Sequence, residues 1–150
     1  VVDLIRRNLR PRDIVTRDAL FNAAAIVGAT GGSTNAALHL PAIAHEAGIR
    51  FDIHDVAEIM RATPHIADLK PGGRYVALDV FNVGGVPVII KALLEGGCLR
   101  GDAITVTGKT LAENHREVIV PRGQDVVRPT SDPVSPIGGV VSLKGSLAPE

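Results

Sequence analysis

Two stretches of this chain place chemistry-bearing residues close together. In "ATGGSTNAALHL", residues 29–40, Gly31 and Gly32 run into Ser33, Thr34 and Asn35 before the sequence turns alanine-rich and apolar. Glycines take backbone angles closed to other residues and let another group approach closely. Ser33 or Thr34 can cap the helix that follows by accepting one of its first-turn N–H groups. The same atoms permit a second reading. A helix start behind two glycines offers bare N–H donors and a positive dipole end, which suit a carboxylate or phosphate. Spacing alone leaves both readings open.

The second stretch, "AITVTGKT", matches a relaxed phosphate-loop pattern, with Ala103 where the first glycine belongs, then Gly108, Lys109 and Thr110. A true phosphate loop is a glycine-rich cradle opened by a strand. Here Ile104, Thr105 and Val106 are themselves the expected strand, so nucleotide binding ranks as a remote alternative. The five histidines have no metal-ligand spacing; His39 and His45, six apart, fall on different helix faces. Cys98 reads as a small packed hydrophobe, and one thiol cannot hold an iron–sulfur cluster.

The elements that must position these residues follow from periodicity and capping. "VVDLIRRN" reads as an amphipathic helix, with Val1, Leu4, Ile5 and Asn8 on one face. Thr16 caps a helix whose inner face is Leu20, Ala23, Ala24 and Val27, and Ala25 and Ile26 make it apolar nearly all round. A helix runs from the GGSTN turn toward Gly48, either kinked at Pro41 or restarting there. Asp52 with Asp55 caps the next, with Ile53, Val56, Ala57 and Met60 inward and Thr63–Pro64 as its end. "LKPGGRY" is a turn. Residues 84–97 hold a helix with Val86, Ile89, Ile90 and Leu93 buried and Gly96–Gly97 as its stop. Thr110 and Glu113 form a capping box for a helix to about Arg116. Residues 121–136 carry four of the ten prolines and read as an extended interdomain linker, and "GGVVSLKG" as the start of a strand.

Composition limits what the chain can do. At 150 residues it is about one domain, with 45% apolar and 21% charged side chains. Sixteen basic and sixteen acidic residues balance, so no general field attracts nucleic acid or an anionic membrane. Three Phe, one Tyr and no Trp leave little for base stacking. No apolar run reaches membrane-spanning length. A single cysteine excludes an internal disulfide and fits a reducing cytoplasm. The chain opens on Val1 and closes on "LAPE", which reads as a piece of something longer.

Taken in order, "RPRDIVTRDALFNA", "ATGGSTNAALHLPAIAHEAGI", "PHIADLKPGGRYVALD", "GGVPVIIKALLEGG", "GDAITVTGKTLAEN", "GQDVVRP" and "GGVVSLKGSLAPE" resemble the dihydroxy-acid dehydratase and phosphogluconate dehydratase family. The resemblance covers essentially the whole chain. Pro41 and Ser146 depart from the family's usual leucine and asparagine. The resemblance implies a hydro-lyase that removes water from a 2,3-dihydroxy acid to give a 2-keto acid. Its cofactors would be an iron–sulfur cluster, acting as Lewis acid on the departing hydroxyl, and Mg2+, with a serine alkoxide taking the proton at C2. It also implies an α/β fold in which residues 1–120 are the helix-rich end of an N-terminal α/β domain. Residues 121–136 would then be a proline-rich linker, and 137–150 the first strand of a C-terminal β-barrel-like domain. The cluster cysteines, the metal-holding lysine segment and the catalytic serine would lie outside this stretch. The segment alone is therefore expected to bind no cofactor and to be inactive. Gly31, Gly32, Ser33, Thr34 and Asn35 are its candidate substrate-binding or cleft-facing residues. The implied partners are a small dihydroxy acid, the remainder of the parent chain and further copies in a cytoplasmic homodimer or larger oligomer. A branched-chain precursor comes first among substrates, with a sugar acid of arabinonate, xylonate or phosphogluconate type as the alternative. A non-catalytic scaffold or interaction module that kept the fold is the reading from another class.

Overall fold

The computed structural model describes residues 1–147. Among them the chain forms α1 (Val2–Arg6), α2 (Pro11–Ile14), α3 (Arg17–Thr30), α4 (Ala36–Ala47), α5 (Ile53–Ala62), α6 (Ala77–Asn82), α7 (Val86–Glu95) and α8 (Leu111–Asn114). The helical part of the expected architecture is present. β pairing between described residues is confined to isolated bridges, such as His65 with Ser135 and Ile104 with Thr110. The strand expected from "AITVTG" is one of these bridges. There the Thr105 N–H and hydroxyl both donate to the Lys109 carbonyl at 2.9 Å, and Gly108 sits at φ 78°, so the chain folds back into a tight loop. Threonine hydroxyls that satisfy nearby backbone compete with a ladder in this way.

The centre is α3, packed against α4 and α5, which also pack on each other. Thr16 caps it, accepting the Ala19 N–H at 3.2 Å. Ala24, Ala25 and Ala29 are fully buried and keep the helix surface shallow enough for close neighbours. Closest is the crossing with α5: a Cβ placed on Gly28 would lie 3.0 Å from the Met60 Cα. The buried face of α3 is Leu20, Asn22, Ala24, Ala25, Gly28 and Ala29, rotated from the expected Leu20–Ala23–Ala24–Val27 stripe. Two partners on different flanks draw in more of the helix than one stripe.

In α5 the buried residues are Val56, Ile59 and Met60, while Ile53 is 41% exposed, so the inner face lies one step round from the expected one. In α7, Val88, Ile89, Ala92 and Leu93 are buried, and Val86, expected inside, is mostly exposed. Helix α4 continues through Pro41 without restarting. The apolar face of α1 is uncovered among the described residues. Helices α2 and α6 lie outside the sequence expectation, and α8 stops at Asn114, short of Arg116.

The extended residues 65–67 run through the core, with Ile66 and Ala67 fully buried. Their amides find partners at the end of α3: Ile66 N–H and Ala67 N–H donate to the Ala29 carbonyl at 2.8 and 3.2 Å. The proline-rich stretch, expected as an extended linker, is a run of turns and bends docked on the core. Arg128 N–H donates to Ile66 O and Val134 N–H to His65 O, both at 2.8 Å, while Val126 and Val127 are buried. Further on, Gly138 N–H donates to Met60 O at 3.1 Å and Gly139 N–H to Gly28 O at 2.8 Å. Residues 140–147 form no named strand, and the last three residues of the expected strand region lie outside the described residues.

Polar clamps fix the outer flank. Asn22, buried inside the apolar run of α3, donates from Nδ2 to Arg100 O at 2.9 Å and accepts the Arg100 N–H at 2.7 Å. Asp52 and Asp55 form the predicted capping box, and the Arg17 guanidinium reaches Asp55 at 2.6 Å from α3. Burial raises the Asp55 pKa, but the Asp52 N–H and the Arg17 cation together outweigh it and hold the carboxyl below its usual value.

Two outcomes follow. A Cβ at Gly138 would run into the Met60 carbonyl oxygen, a backbone atom, so Gly138→Ala should cost about 1–3 kcal/mol of stability in urea unfolding. An unchanged midpoint would show that residues 138–139 do not seat on α5. The folded pKa of Asp55 lies below its unfolded value of about 3.9, so its contribution is complete above that pH and is lost as pH falls through the folded value. Asp55→Asn should therefore lose about 1 kcal/mol at neutral pH and flatten the acid limb of the stability profile. Parallel pH profiles for wild type and variant would contradict this.

Candidate functional site

The GGSTN turn joins α3 to α4, and its glycines belong to the helix behind it. Gly31 is left-handed, at φ 59° and ψ 37°. Gly32 N–H donates to Val27 O at 3.0 Å and Gly31 N–H to Gly28 O at 3.5 Å, the paired bonds of a Schellman C-cap. Any Cβ at Gly31 would also press on the His65 ring at 3.3 Å. That ring is fixed by its Nε2, 2.9 Å from the Ala67 carbonyl. The turn is therefore held from below by the same core segment that crosses α3.

The expected side-chain N-cap of α4 is absent. Asn35 occupies the cap position in a helical conformation (φ −58°, ψ −23°) from which its side chain makes no capping bond. Ser33 Oγ accepts the Asn35 N–H at 3.3 Å instead. The expected row of bare helix-start donors is also mostly filled. Ala36 and Ala37 N–H donate to Ser33 O and Thr34 O at 3.2 and 3.0 Å, and Leu38 and His39 N–H to Asn35 O at 3.0 Å. A tightened first turn satisfies the orphans by itself. Among the described residues the N–H groups of Ser33 and Thr34, the Thr34 hydroxyl and the Asn35 amide keep no partner. All three residues are exposed.

Of these residues, Thr34 borders a groove between α5 and residues 137–144. Thr34 lines a cavity of about 170 Å³ together with Ile53, Met60 and Ser142. It adjoins one of about 400 Å³ whose far end carries His54, Glu58, Arg61 and Lys144. The two share Ala57, Val140, Val141 and Ser142 as walls. Arg61 and Lys144 make no ion pair with a described residue. The groove thus offers the free Thr34 hydroxyl, an apolar middle, and the Arg61 and Lys144 cations beside the Glu58 carboxylate. It suits a small hydroxylated anion. No His, Asp or Glu hydrogen-bonds the Ser33 or Thr34 hydroxyl among the described residues, so neither is activated as a nucleophile.

The phosphate-loop candidate closes on itself. Thr107 N–H donates to Thr105 Oγ1, Lys109 N–H to Thr107 Oγ1 and Gly108 N–H to Thr105 O. Asn114 Nδ2 donates to Thr105 Oγ1 at 2.7 Å, and Arg7 crosses the loop to Thr107 O at 2.9 Å. Donors that would cradle a phosphate point inward. Of the histidines, His115 bonds Leu111 O through Nδ1 at 2.7 Å, and His39, His45 and His54 are exposed. Among the described residues no three His, Cys, Asp or Glu side chains gather where they could hold a metal. The sole thiol, Cys98, is half-buried, and burial raises its pKa. A single thiol does not fit an iron–sulfur cluster, which binds several thiolates. Among the described residues no helix is long and apolar enough to cross a membrane.

Sequence reasoning missed His65 as the support of the turn and Asn22 as the anchor of residue 100. Asn22 carried a signal, one amide inside "ALFNAAAIVGA". His65 carried none, because its partners lie in distant segments.

A family model described as dihydroxy-acid/6-phosphogluconate dehydratase N-terminal matches residues 1–114. The chain is 65% identical to dihydroxy-acid dehydratase 2 of Bradyrhizobium diazoefficiens over 150 residues, which is 100% of this chain and 26% of that protein. It is 62% identical to dihydroxy-acid dehydratase of Parvibaculum lavamentivorans, with the same coverage of 100% and 26%. With dihydroxy-acid dehydratase of Roseiflexus castenholzii it shares 52% identity, over 100% of this chain and 27% of the relative. The chain spans about a quarter of the length of the curated relatives it matches.

A raised thiol pKa has a direct readout. Free cysteine titrates near about 8.5, so at about pH 8 Cys98 should react with iodoacetamide more slowly than free cysteine and accelerate on unfolding. Equal rates in the folded chain and in free cysteine would place the thiol in open water.

Proposed function

The chain belongs to the dihydroxy-acid/6-phosphogluconate dehydratase family, and we propose that it is a segment of a hydro-lyase converting a 2,3-dihydroxy acid to a 2-keto acid. The observation that carries this reading is identity of 51–65% over the whole chain to dihydroxy-acid dehydratases. A branched-chain dihydroxy acid is the proposed substrate. Residues 1–120 are proposed as the end of the N-terminal domain, 121–136 as the connection and 137–150 as the start of the C-terminal domain. The parent enzyme is proposed to be a cytoplasmic homo-oligomer that uses an iron–sulfur cluster and Mg2+. Those groups would supply Lewis-acid assistance to the leaving hydroxyl. Their ligands are not among the side chains gathered here, so no step is assigned to them.

The part proposed for this segment is to bind and orient. The turn Gly31–Gly32–Ser33–Thr34–Asn35 borders the active-site cleft, where the free N–H groups of Ser33 and Thr34 and the Thr34 hydroxyl hold a substrate oxygen. The positive end of the α4 dipole adds attraction for an anion. The core beneath, through His65 and the Gly139–Gly28 bond, keeps these donors in place while substrate enters. Pre-set donors of this kind raise effective concentration without taking part in bond making.

The test separates binding from folding in the full-length protein. Thr34→Val removes a hydroxyl that bonds nothing in the fold, so the melting temperature should stay within error. If that hydroxyl holds a substrate oxygen, kcat/KM for 2-keto acid formation should fall about ten-fold to a hundred-fold, which corresponds to about 1.5–3 kcal/mol. Ser33→Ala removes one exposed bond to the Asn35 N–H and should cost at most about 1 kcal/mol of stability. Unchanged kinetics in both variants, with folding intact, would reduce the turn to a helix connection. Comparing branched-chain and sugar-acid substrates in the same assay ranks the two substrate classes.

A further inference from the structure

We propose that a second cavity, on the opposite flank of α5 from the groove, binds a free α-amino acid with an apolar side chain. The cavity holds about 340 Å³ and lies between the first turns of α3, the body of α5 and the turn at residue 100. That size is in the range of small-molecule sites. Glu58 is the one residue that borders both this cavity and the larger one of the groove.

Its apolar wall is Phe21, Phe51, Ile59 and Ala62, with Phe51 5% exposed and Ile59 9% exposed. Its charged groups differ in whether they are already answered. The Arg17 guanidinium is neutralised by Asp55 at 2.6 Å and also bonds the Arg50 carbonyl. Arg100 has no carboxylate partner among the described residues, yet it is held in place. Its guanidinium lies 4.3 Å from the centre of the Phe21 ring. Its backbone N–H and carbonyl are both clamped by Asn22, which is 6% exposed. A cation stacked on an aromatic face and rooted by two backbone bonds is pre-organised for an anion. Asp18 and Glu58 line the same cavity and make no ion pair with a described residue.

The charge pattern selects the ligand class. Two arginines face three carboxylates, so the lining is net negative and repels a polyphosphate or nucleotide. A simple carboxylic acid would satisfy Arg100 and leave Asp18 and Glu58 unanswered. A simple amine would do the reverse. A molecule carrying carboxylate and ammonium on one carbon answers both signs, and the apolar wall takes its side chain. This assignment stands on the cavity alone and does not depend on the reaction proposed above.

The experiment is isothermal calorimetry on the full-length protein with L-leucine as the probe. Saturable binding below about 10 mM is expected, a weak but measurable site. 4-Methylpentanoate, which lacks the amino group, and 3-methylbutylamine, which lacks the carboxylate, should each bind at least ten-fold more weakly, as should glycine. Arg100→Gln leaves the Asn22 backbone clamp intact and should weaken leucine at least ten-fold with an unchanged melting temperature. The double variant Asp18→Asn, Glu58→Gln tests the ammonium side on exposed positions and remains available if Arg100→Gln does not fold. No saturable heat with leucine would overturn the proposal, as would binding indifferent to both sets of variants or equal binding of 4-methylpentanoate. Loss of dehydration in the Thr34 variants with leucine binding intact would separate this site from the groove.

Discussion

Everything else in this structure depends on how the carbonyl end of α3 is satisfied. A helix leaves its last carbonyls without intrahelical donors, and burying them unpaired costs about 1–3 kcal/mol each. Here Val27 and Gly28 are answered by the glycine cap. Ala29 is answered by Ile66 and Ala67, and Gly28 again by Gly139. These donors come from segments far apart in sequence. The helix end therefore organises three layers at once: the turn into α4, the buried 65–67 strand-like segment, and the returning 138–139 stretch. Glycine is needed where backbones meet, because a Cβ at Gly139 would lie 2.7 Å from the Gly31 Cα and one at Gly28 would crowd Met60.

This arrangement accounts for an otherwise odd division of labour in GGSTN. The glycines close one helix; the polar residues open the next. Because the cap and the tightened first turn consume most local donors, the few that remain free are at Ser33 and Thr34. They are exposed on a turn whose base is fixed by the His65 ring and by backbone bonds. A loop that is rigid below and unsatisfied above suits ligand positioning better than a mobile one. The same contrast appears at residue 100, where a buried amide fixes the backbone and leaves the guanidinium facing a cavity.

Much of the helical layout was legible because it rests on local rules. Thr16, Asp52 and Thr110 cap where a short oxygen side chain precedes an apolar period, and Gly31, Gly48 and Gly96 end helices where the pattern stops. The faces were read less well. Ile53 and Val86 are outside and Ile59 and Val88 inside, because rotation is set by neighbours that periodicity does not name. β-branched "AITVTG" was misread as a strand for a related reason: threonine favours pleated surfaces only when a partner strand competes successfully with its own hydroxyl bonds. The proline content of residues 121–136 signalled a stretch without helix, which the structure shows as turns and bends. It could not signal that Val126 and Val127 lie in the core. For the candidate site, the sequence located the turn. The assignment of its donors failed, since capping by Ser33 and by Asn35 differ only in backbone angles.

The family relationship and the geometry constrain one another further. A segment matching about a quarter of its relatives' length would be expected to carry only part of a reaction centre. Among the described residues the Thr34 hydroxyl and the Arg61 and Lys144 cations line the groove, neither the Ser33 nor the Thr34 hydroxyl has a base beside it, and burial raises the pKa of Cys98. Proton removal and departure of hydroxide require groups whose charge changes during the reaction. Such groups need neighbours that shift their pKa, and among the described residues the shifted groups sit in peripheral ion pairs, capping boxes and the half-buried thiol, such as Asp13 with Arg10, lowered to about 2, and Glu113 with Thr110. On either flank of α5, Arg61 and Lys144 on one side and Arg100 on the other line cavities without an ion-pair partner among the described residues, and so are placed to attract an anion.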